Sequence, residues 1–290
     1  MASIINILPD HLANKIAAGE VVQRPDSVVK ELLENSIDAG ATSIAVTVKN
    51  AGKTLIQVID NGKGMSEEDA ERSFYRHATS KISTYDDLEN LRTLGFRGEA
   101  LASIAAVAQV ELRTRRAEDP VGTLLRVEAN TVEERGKTAH QVGTTISVKN
   151  LFYNTPARRQ FLKSNNTEFR HIYDTVQRLA LSKPEIALEF VSDEDTILAL
   201  PSQTLEDRLK SLFGDRHFAA MLPVHEETEI LTLSGYIGKP DFARKSKVDQ
   251  FLFLNGRFII NRSINHAVFS GYEHLVEKGN FPFFLLFIDL

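Results

Sequence analysis

Val28-Val29-Lys30-Glu31-Leu32-Leu33-Glu34-Asn35-Ser36-Ile37-Asp38-Ala39-Gly40 is the stretch on which the reading of the fold turns. At about 100° per residue, Val28, Val29, Leu32, Leu33 and Ile37 share one face of a helix, and Glu31, Glu34, Asn35 and Asp38 gather on the other. Pro25 and Asp26 introduce the helix and Gly40 is a natural stop. Amphipathicity alone asks only for a polar face in water. Whether these acids meet solvent or substrate depends on the segments downstream.

Thr42 to Lys49 alternates through Ile44, Val46 and Val48, and after an Ala51-Gly52-Lys53 turn Leu55 to Ile59 completes a hairpin. The second strand runs into Asp60-Asn61-Gly62-Lys63-Gly64-Met65. Two glycines spaced two apart cost chain entropy unless the backbone turns sharply or something approaches it closely, so the segment is either a plain turn or a contact surface. Glu67 to Arg76 reads as helix, followed by Arg76-His77-Ala78-Thr79-Ser80-Lys81. Gly95-Phe96-Arg97-Gly98-Glu99-Ala100-Leu101 then leads into an apolar helix from Leu101 to Ala108. Free amides at such a helix start favour an anion; a simple helix-entry turn is the other reading. Upstream, an apolar segment at residues 4–8 precedes a helix from Asp10 that Gly19 ends.

The remaining first part is strand-rich. Strands are expected over Val110 to Arg115, Gly122 to Ala129 and Gly143 to Val148, with turns at Asp119-Pro120 and Glu133 to Lys137. Thr155 caps a helix with Pro156 at its first position, a second helix runs from Glu168 to Leu181, and strands follow at Ala187 to Val191 and Thr196 to Leu200.

A chain of 290 residues with 42% hydrophobic and 25% charged residues suggests two domains and ordinary globular character. It has no cysteine, which excludes disulfides, cysteine-zinc sites and thiol nucleophiles. There is no signal-like start and no apolar run of membrane-spanning length, so a cytoplasmic protein with no membrane partner is expected. A net charge of -5 argues against a wholly basic nucleic-acid binder and leaves room for a local basic groove. No G-x-x-x-x-G-K-[ST], H-E-x-x-H or G-x-S-x-G occurs, so P-loop, metalloprotease and serine-hydrolase readings have no anchor.

Glu31 to Gly40, Asp60 to Met65 and Gly95 to Leu101 stand in the order found in the gyrase, heat-shock chaperone, histidine kinase and MutL ATPase superfamily. Ile16-Ala17-Ala18-Gly19-Glu20-Val21-Val22, Arg76 to Lys81 and Leu151-Phe152-Tyr153-Asn154-Thr155-Pro156-Ala157-Arg158-Arg159 narrow the resemblance to the N-terminal region of the MutL family of DNA mismatch repair proteins. The resemblance implies an α+β fold: a two-layer α/β sandwich ATP-binding domain at residues 1–200, then a smaller α+β domain at residues 201–290. It makes Glu31 the general base and Asn35 the magnesium ligand. Asp60 would accept the adenine amino group, with Gly62, Gly64 and Met65 beside the base and Thr144 or Thr145 supplying a hydroxyl near it. Thr79 would be a lid contact, and Gly95, Phe96, Arg97, Gly98, Glu99, Ala100 and Leu101 the lid hinge and phosphate-binding amides. ATP and Mg2+ are the implied ligands, and ATP-ordered lid closure, N-terminal homodimerisation and slow hydrolysis the implied cycle.

In the second part, Thr204 and Asp207 start a helix that Gly214 ends. A strand from Glu229 to Ile237, a hairpin turning at Asn255-Gly256, a helix from Ser263 to Glu277 and a strand from Phe281 to Leu290 follow. The resemblance places a γ-phosphate-touching lysine beyond this strand, so the sequence is expected to be a piece of a longer chain that binds nucleotide and hydrolyses it poorly. Arg158, Arg159, Lys163, Arg178, Arg257 and Arg262 are candidates for the DNA backbone, either as a groove or as single solvated cations. Further implied partners are the mismatch-recognition protein MutS and a downstream nuclease or helicase. A topoisomerase relative and a non-hydrolysing, nucleotide-gated module are the competing readings.

Overall fold

The computed structural model describes residues 18–81, 93–95 and 98–290. The segment at residues 4–8 and the helix start at Asp10 lie outside the described residues, as do Phe96 and Arg97. Residues 18–21 are helical, so Gly19 lies within a helical turn and not at a helix stop.

The chain divides into two compact units. One takes the residues up to Val176 together with Glu185–Ser202; the other takes Gln177–Pro184 and Gln203–Leu290. The last turns of the helix Asn165–Ser182 therefore group with the second unit.

The first unit is an eight-stranded sheet in the order β5-β4-β3-β6-β2-β1-β7-β8. Its strands are β1 (Ser43–Lys49), β2 (Leu55–Asp60), β3 (Gln109–Arg115), β4 (Gly122–Glu128), β5 (Thr131–Thr138), β6 (Gly143–Lys149), β7 (Ala187–Ser192) and β8 (Asp195–Leu200). Every pairing is antiparallel except β1 with β7. Burial alternates along β1, β2 and β3, as it must when helices cover one face only. The opening helix, Pro25–Asp38, lies on that face with Val28, Val29, Leu32 and Leu33 at no more than 1% exposure. Helix Ala100–Val107 packs beside it, Glu67–Arg72 lies against β4, and Phe169 of Asn165–Ser182 stacks on Phe190 of β7. This is the expected two-layer sandwich.

Two local expectations fail here. Glu133 to Lys137 is not a turn but the middle of β5. Its residues are polar because it is an edge strand whose side chains mostly face water; backbone pairing to β4 and ion pairs from Arg126 to Glu134 and Lys137 to Glu67 define it. The helix expected to reach Arg76 stops at Arg72, and Phe74 and Tyr75 continue as turn.

The second unit is a five-stranded sheet, β12-β11-β13-β10-β9. Its strands are β9 (Met221–Glu227), β10 (Thr232–Gly238), β11 (Gln250–Leu254), β12 (Arg257–Phe258) and β13 (Phe284–Asp289). The single strand expected over Glu229 to Ile237 is in fact the end of a hairpin: β9 precedes it, and only Thr232 onward is strand. Thr204 caps Leu205–Phe213 by accepting the Asp207 amide at 3.2 Å. The helix begun at Arg262 ends at Gly271, six residues before the expected Glu277.

Candidate functional site

The opening helix meets the end of β2 through one hydrogen bond. Ser36, 3% exposed, donates its hydroxyl to Asp60 Oδ2 at 2.9 Å, and the Gly62 amide donates to Asp60 Oδ1 at 2.9 Å. Antiparallel register sets Thr144 of β6 directly opposite Asp60. Burial pushes the Asp60 carboxyl above the usual aspartate range, against the opposing pull of the Gly62 amide, the Ser36 hydroxyl and the Thr144 amide. A carboxylate in that condition is stabilised by any further donor that reaches it.

The glycines around it have reasons internal to the protein. A Cβ at Gly64, where φ is +68°, would collide with the Arg115 carbonyl oxygen; one at Gly62 would lie 2.9 Å from Ala39. The next amide, Met65 N, donates to Thr114 Oγ1 at 2.9 Å, and Thr114 Oγ1 lies 3.0 Å from Thr144 Oγ1. Thr144 thus shares the buried face with Asp60. Thr145, one residue on, sits on the opposite face and its hydroxyl meets His140 Nε2 at 2.9 Å.

On the polar face of the same helix lie Glu31 and Asn35. The Glu31 carboxylate, 26% exposed, meets Lys30 Nζ at 3.7 Å. Asn35 Oδ1 accepts from Lys81 Nζ at 2.9 Å, and the same ammonium lies 2.5 Å from Asp38 Oδ2. Asp38 also accepts the amides of Leu94 and Gly95, at 2.9 and 3.0 Å. Three sequence motifs therefore converge here. Gly98 (φ +62°) packs against Ala78, where a Cβ would lie 2.6 Å from the carbonyl oxygen, and the Glu99 carboxylate reaches Arg76 Nη2 at 3.5 Å and His77 Nδ1 at 3.2 Å. Thr79 Oγ1 accepts the Lys81 amide at 3.2 Å. Ala100 and Leu101 open the helix that Glu99 precedes.

Among the described residues no cluster of three or more histidine, cysteine or acidic side chains stands ready for a metal. A single amide oxygen already facing a cation suits a hard ion that takes its remaining ligands from phosphate and water, so Asn35 fits magnesium.

Residues 23–155 match the family described as histidine kinase-, DNA gyrase B- and HSP90-like ATPase, and residues 209–290 match the DNA mismatch repair protein, C-terminal domain. The DNA mismatch repair protein MutL of Christiangramia forsetii is 53% identical over all 290 residues, and that of Porphyromonas gingivalis 51%. The chain belongs to the MutL family. It spans about half the length of these curated MutL relatives, 47% in both cases. Among solved structures, the Aquifex aeolicus MutL ATPase domain complexed with ADP superposes with a TM-score of 0.72 at 28% identity, covering 93% of each chain. The N-terminal domain of a DNA repair protein gives 0.82 at 26% identity, covering 98% of this chain and 89% of its own.

The six candidates for DNA contact fall three on each unit. Arg159 and Lys163 are exposed, but Arg158 turns its guanidinium toward Gly19 into a cavity of about 220 Å³ that Arg24 and Glu168 also line. In the second unit Arg178 stacks 4.1 Å over the Phe258 ring, Arg257 is half-buried and Arg262 is exposed. Sequence reasoning passed over Ser36, Asp38, Lys81 and Thr114. Ser36 and Asp38 were visible inside the helix motif and Lys81 at the end of its own, but Thr114 carried no local signal. No described helix is long and apolar enough to cross a membrane.

Proposed function

We propose that this chain is the ATPase region of a DNA mismatch repair protein, binding ATP between the Asp60 end and the Asn35 end of one helix face and hydrolysing it slowly. The observation that carries this reading is the Ser36 to Asp60 hydrogen bond, which fixes the purine anchor to the element that presents Glu31 and Asn35 one turn apart. Its MutL relatives support it: mismatch repair in the curated proteins and bound ADP in the Aquifex aeolicus domain.

In this reading Asp60 takes the adenine amino group as its missing donor, and Thr144 supplies the hydroxyl beside it. A guanine would offer its carbonyl oxygen to the same carboxylate and be rejected. Glu31, bound only loosely to Lys30, orients and deprotonates the attacking water. Magnesium, when bound through Asn35, neutralises charge on the phosphates. ATP binding orders the lid motifs and drives N-terminal dimerisation, and the switch is read by DNA, a mismatch-recognition protein of the MutS kind and a downstream nuclease or helicase. Turnover by this chain is weak.

Calorimetric titration with ADP and GDP tests the base assignment: ADP should bind at least about tenfold tighter, a difference of ~1.4 kcal/mol. Equal affinity for the two would sink it. Phosphate release with and without the chain tests hydrolysis, and its absence at any ATP concentration would leave a nucleotide-gated module.

A further inference from the structure

We propose that Lys81 holds the cation position on Asn35 in the nucleotide-free protein, and that Asp38 is the positioning residue that keeps it there, so that binding of a magnesium nucleotide is a cation exchange. The inference rests on the nucleotide-site reading above and adds two residues to it.

Four observations meet at this point. The Lys81 ammonium spends two of its three donors on Asn35 Oδ1 and Asp38 Oδ2. The pair is sheltered, with side-chain exposures of 18% for Lys81 and 6% for Asp38, so it is not a solvated surface contact. Gly95 leaves the space that the ammonium fills: a Cβ there would lie 2.9 Å from Lys81 Nζ and 3.7 Å from Asn35 Oδ1. Asp38 uses its remaining capacity on the Leu94 and Gly95 amides, so one carboxylate fastens residues 81, 94 and 95 to the helix that carries Glu31.

An ammonium and a divalent ion cannot share one amide oxygen without strong like-charge repulsion. Magnesium arriving with nucleotide must therefore displace Lys81 from Asn35. The released ammonium stays tethered at the phosphate side, and Asp38 keeps its two amide bonds. Without magnesium, Lys81 remains as a built-in substitute cation, which mutes the dependence of nucleotide binding on the metal.

The test is a cycle of ADP affinities, with magnesium and with chelator, for the 290-residue chain and its Lys81→Met variant. The factor by which magnesium tightens ADP binding should rise about tenfold in Lys81→Met, because the substitute cation is gone. In an Asn35→Ala background the same substitution should leave that factor unchanged, since the contested oxygen is missing. An equal factor in wild type and Lys81→Met, with ADP still binding, overturns the exchange while leaving the nucleotide site intact. Failure of the wild type to bind ADP at all overturns the site reading and this inference with it. Hydrogen exchange in the nucleotide-free protein supplies a readout independent of ligand: Asp38→Asn should speed exchange of the Leu94 and Gly95 amides, and unchanged protection there removes Asp38 as the positioning residue.

Discussion

The two ends of the site are built on opposite principles. At the Asp60 end the polar groups are sheltered, held by sheet register and satisfied by short bonds to Ser36, Gly62 and Thr144. At the Asn35 end the contacts join a helix to residues 81, 94 and 95, far apart in sequence, through ion-pair and amide bonds to a single carboxylate. A preorganised end costs nothing to assemble when ligand arrives; the other end must exchange partners. In the proposed reading, base recognition would thus be written into the sheet, and phosphate recognition into contacts that have to be remade.

The sharpest way to break this contrast is at the chemistry. Glu31→Ala should lower phosphate release by about 10²–10⁴-fold while ADP affinity stays within a few-fold; a variant that hydrolyses at the wild-type rate removes Glu31 as the base. Next comes the rigidity of the Asp60 end. Gly64→Ala forces a side chain against the Arg115 backbone at positive φ and should cost about 3 kcal/mol in urea unfolding, whereas Gly40→Ala, at φ +75° with nothing within 4 Å, should cost about 1. Equal costs would mean that the loop after β2 yields easily.

Asp60→Asn separates function from stability. It should weaken ADP binding by about 10–100-fold, because an amide loses the charged acceptor. Its effect on stability should depend on pH. The folded-state carboxyl titrates above its unfolded value, so its contribution is fully favourable only below the unfolded range near 3.8 and is lost as pH rises through the folded value. Wild type should therefore lose stability relative to the variant, which does not titrate, as the pH rises from about 4 to 7; a difference that moves the other way contradicts the burial argument. The smallest expected effect distinguishes the two threonines: Thr144→Val should weaken ADP binding several-fold and Thr145→Val by less than about twofold.

What could be read in advance reflects a physical divide. The opening helix, the β1–β2 hairpin and the Asn255-Gly256 turn rest on local periodicity and turn chemistry, and all were legible. The β5 and β9 strands were not: both are sheet edges, β5 almost wholly polar, and β9 interrupted by Pro223 and without alternation. At the site, the polar helix face and the Asp60 glycine segment were visible, and so was the pair of threonines. Which threonine turns to Asp60 depends on the β2–β6 register, a pairing across more than eighty residues. Thr114 is hidden for the same reason. Asp38 and Lys81 sat inside recognisable motifs, yet their mutual contact spans 43 residues and no spacing announces it.

The place of β13 carries a consequence for synthesis. It is the last of its sheet's five strands to be made, yet it lies in the interior of that sheet, antiparallel to β10 on one side and parallel to β11 on the other. While the chain is emerging from the ribosome, the eight-stranded sheet has all its strands once residue 200 is out. The five-stranded one remains two unjoined halves until residue 289 follows. The β10 and β11 edges that β13 will cover stay open for that interval, apolar through Leu233, Ile237, Phe251 and Phe253, which makes it the stretch of synthesis most open to misassociation of this sheet.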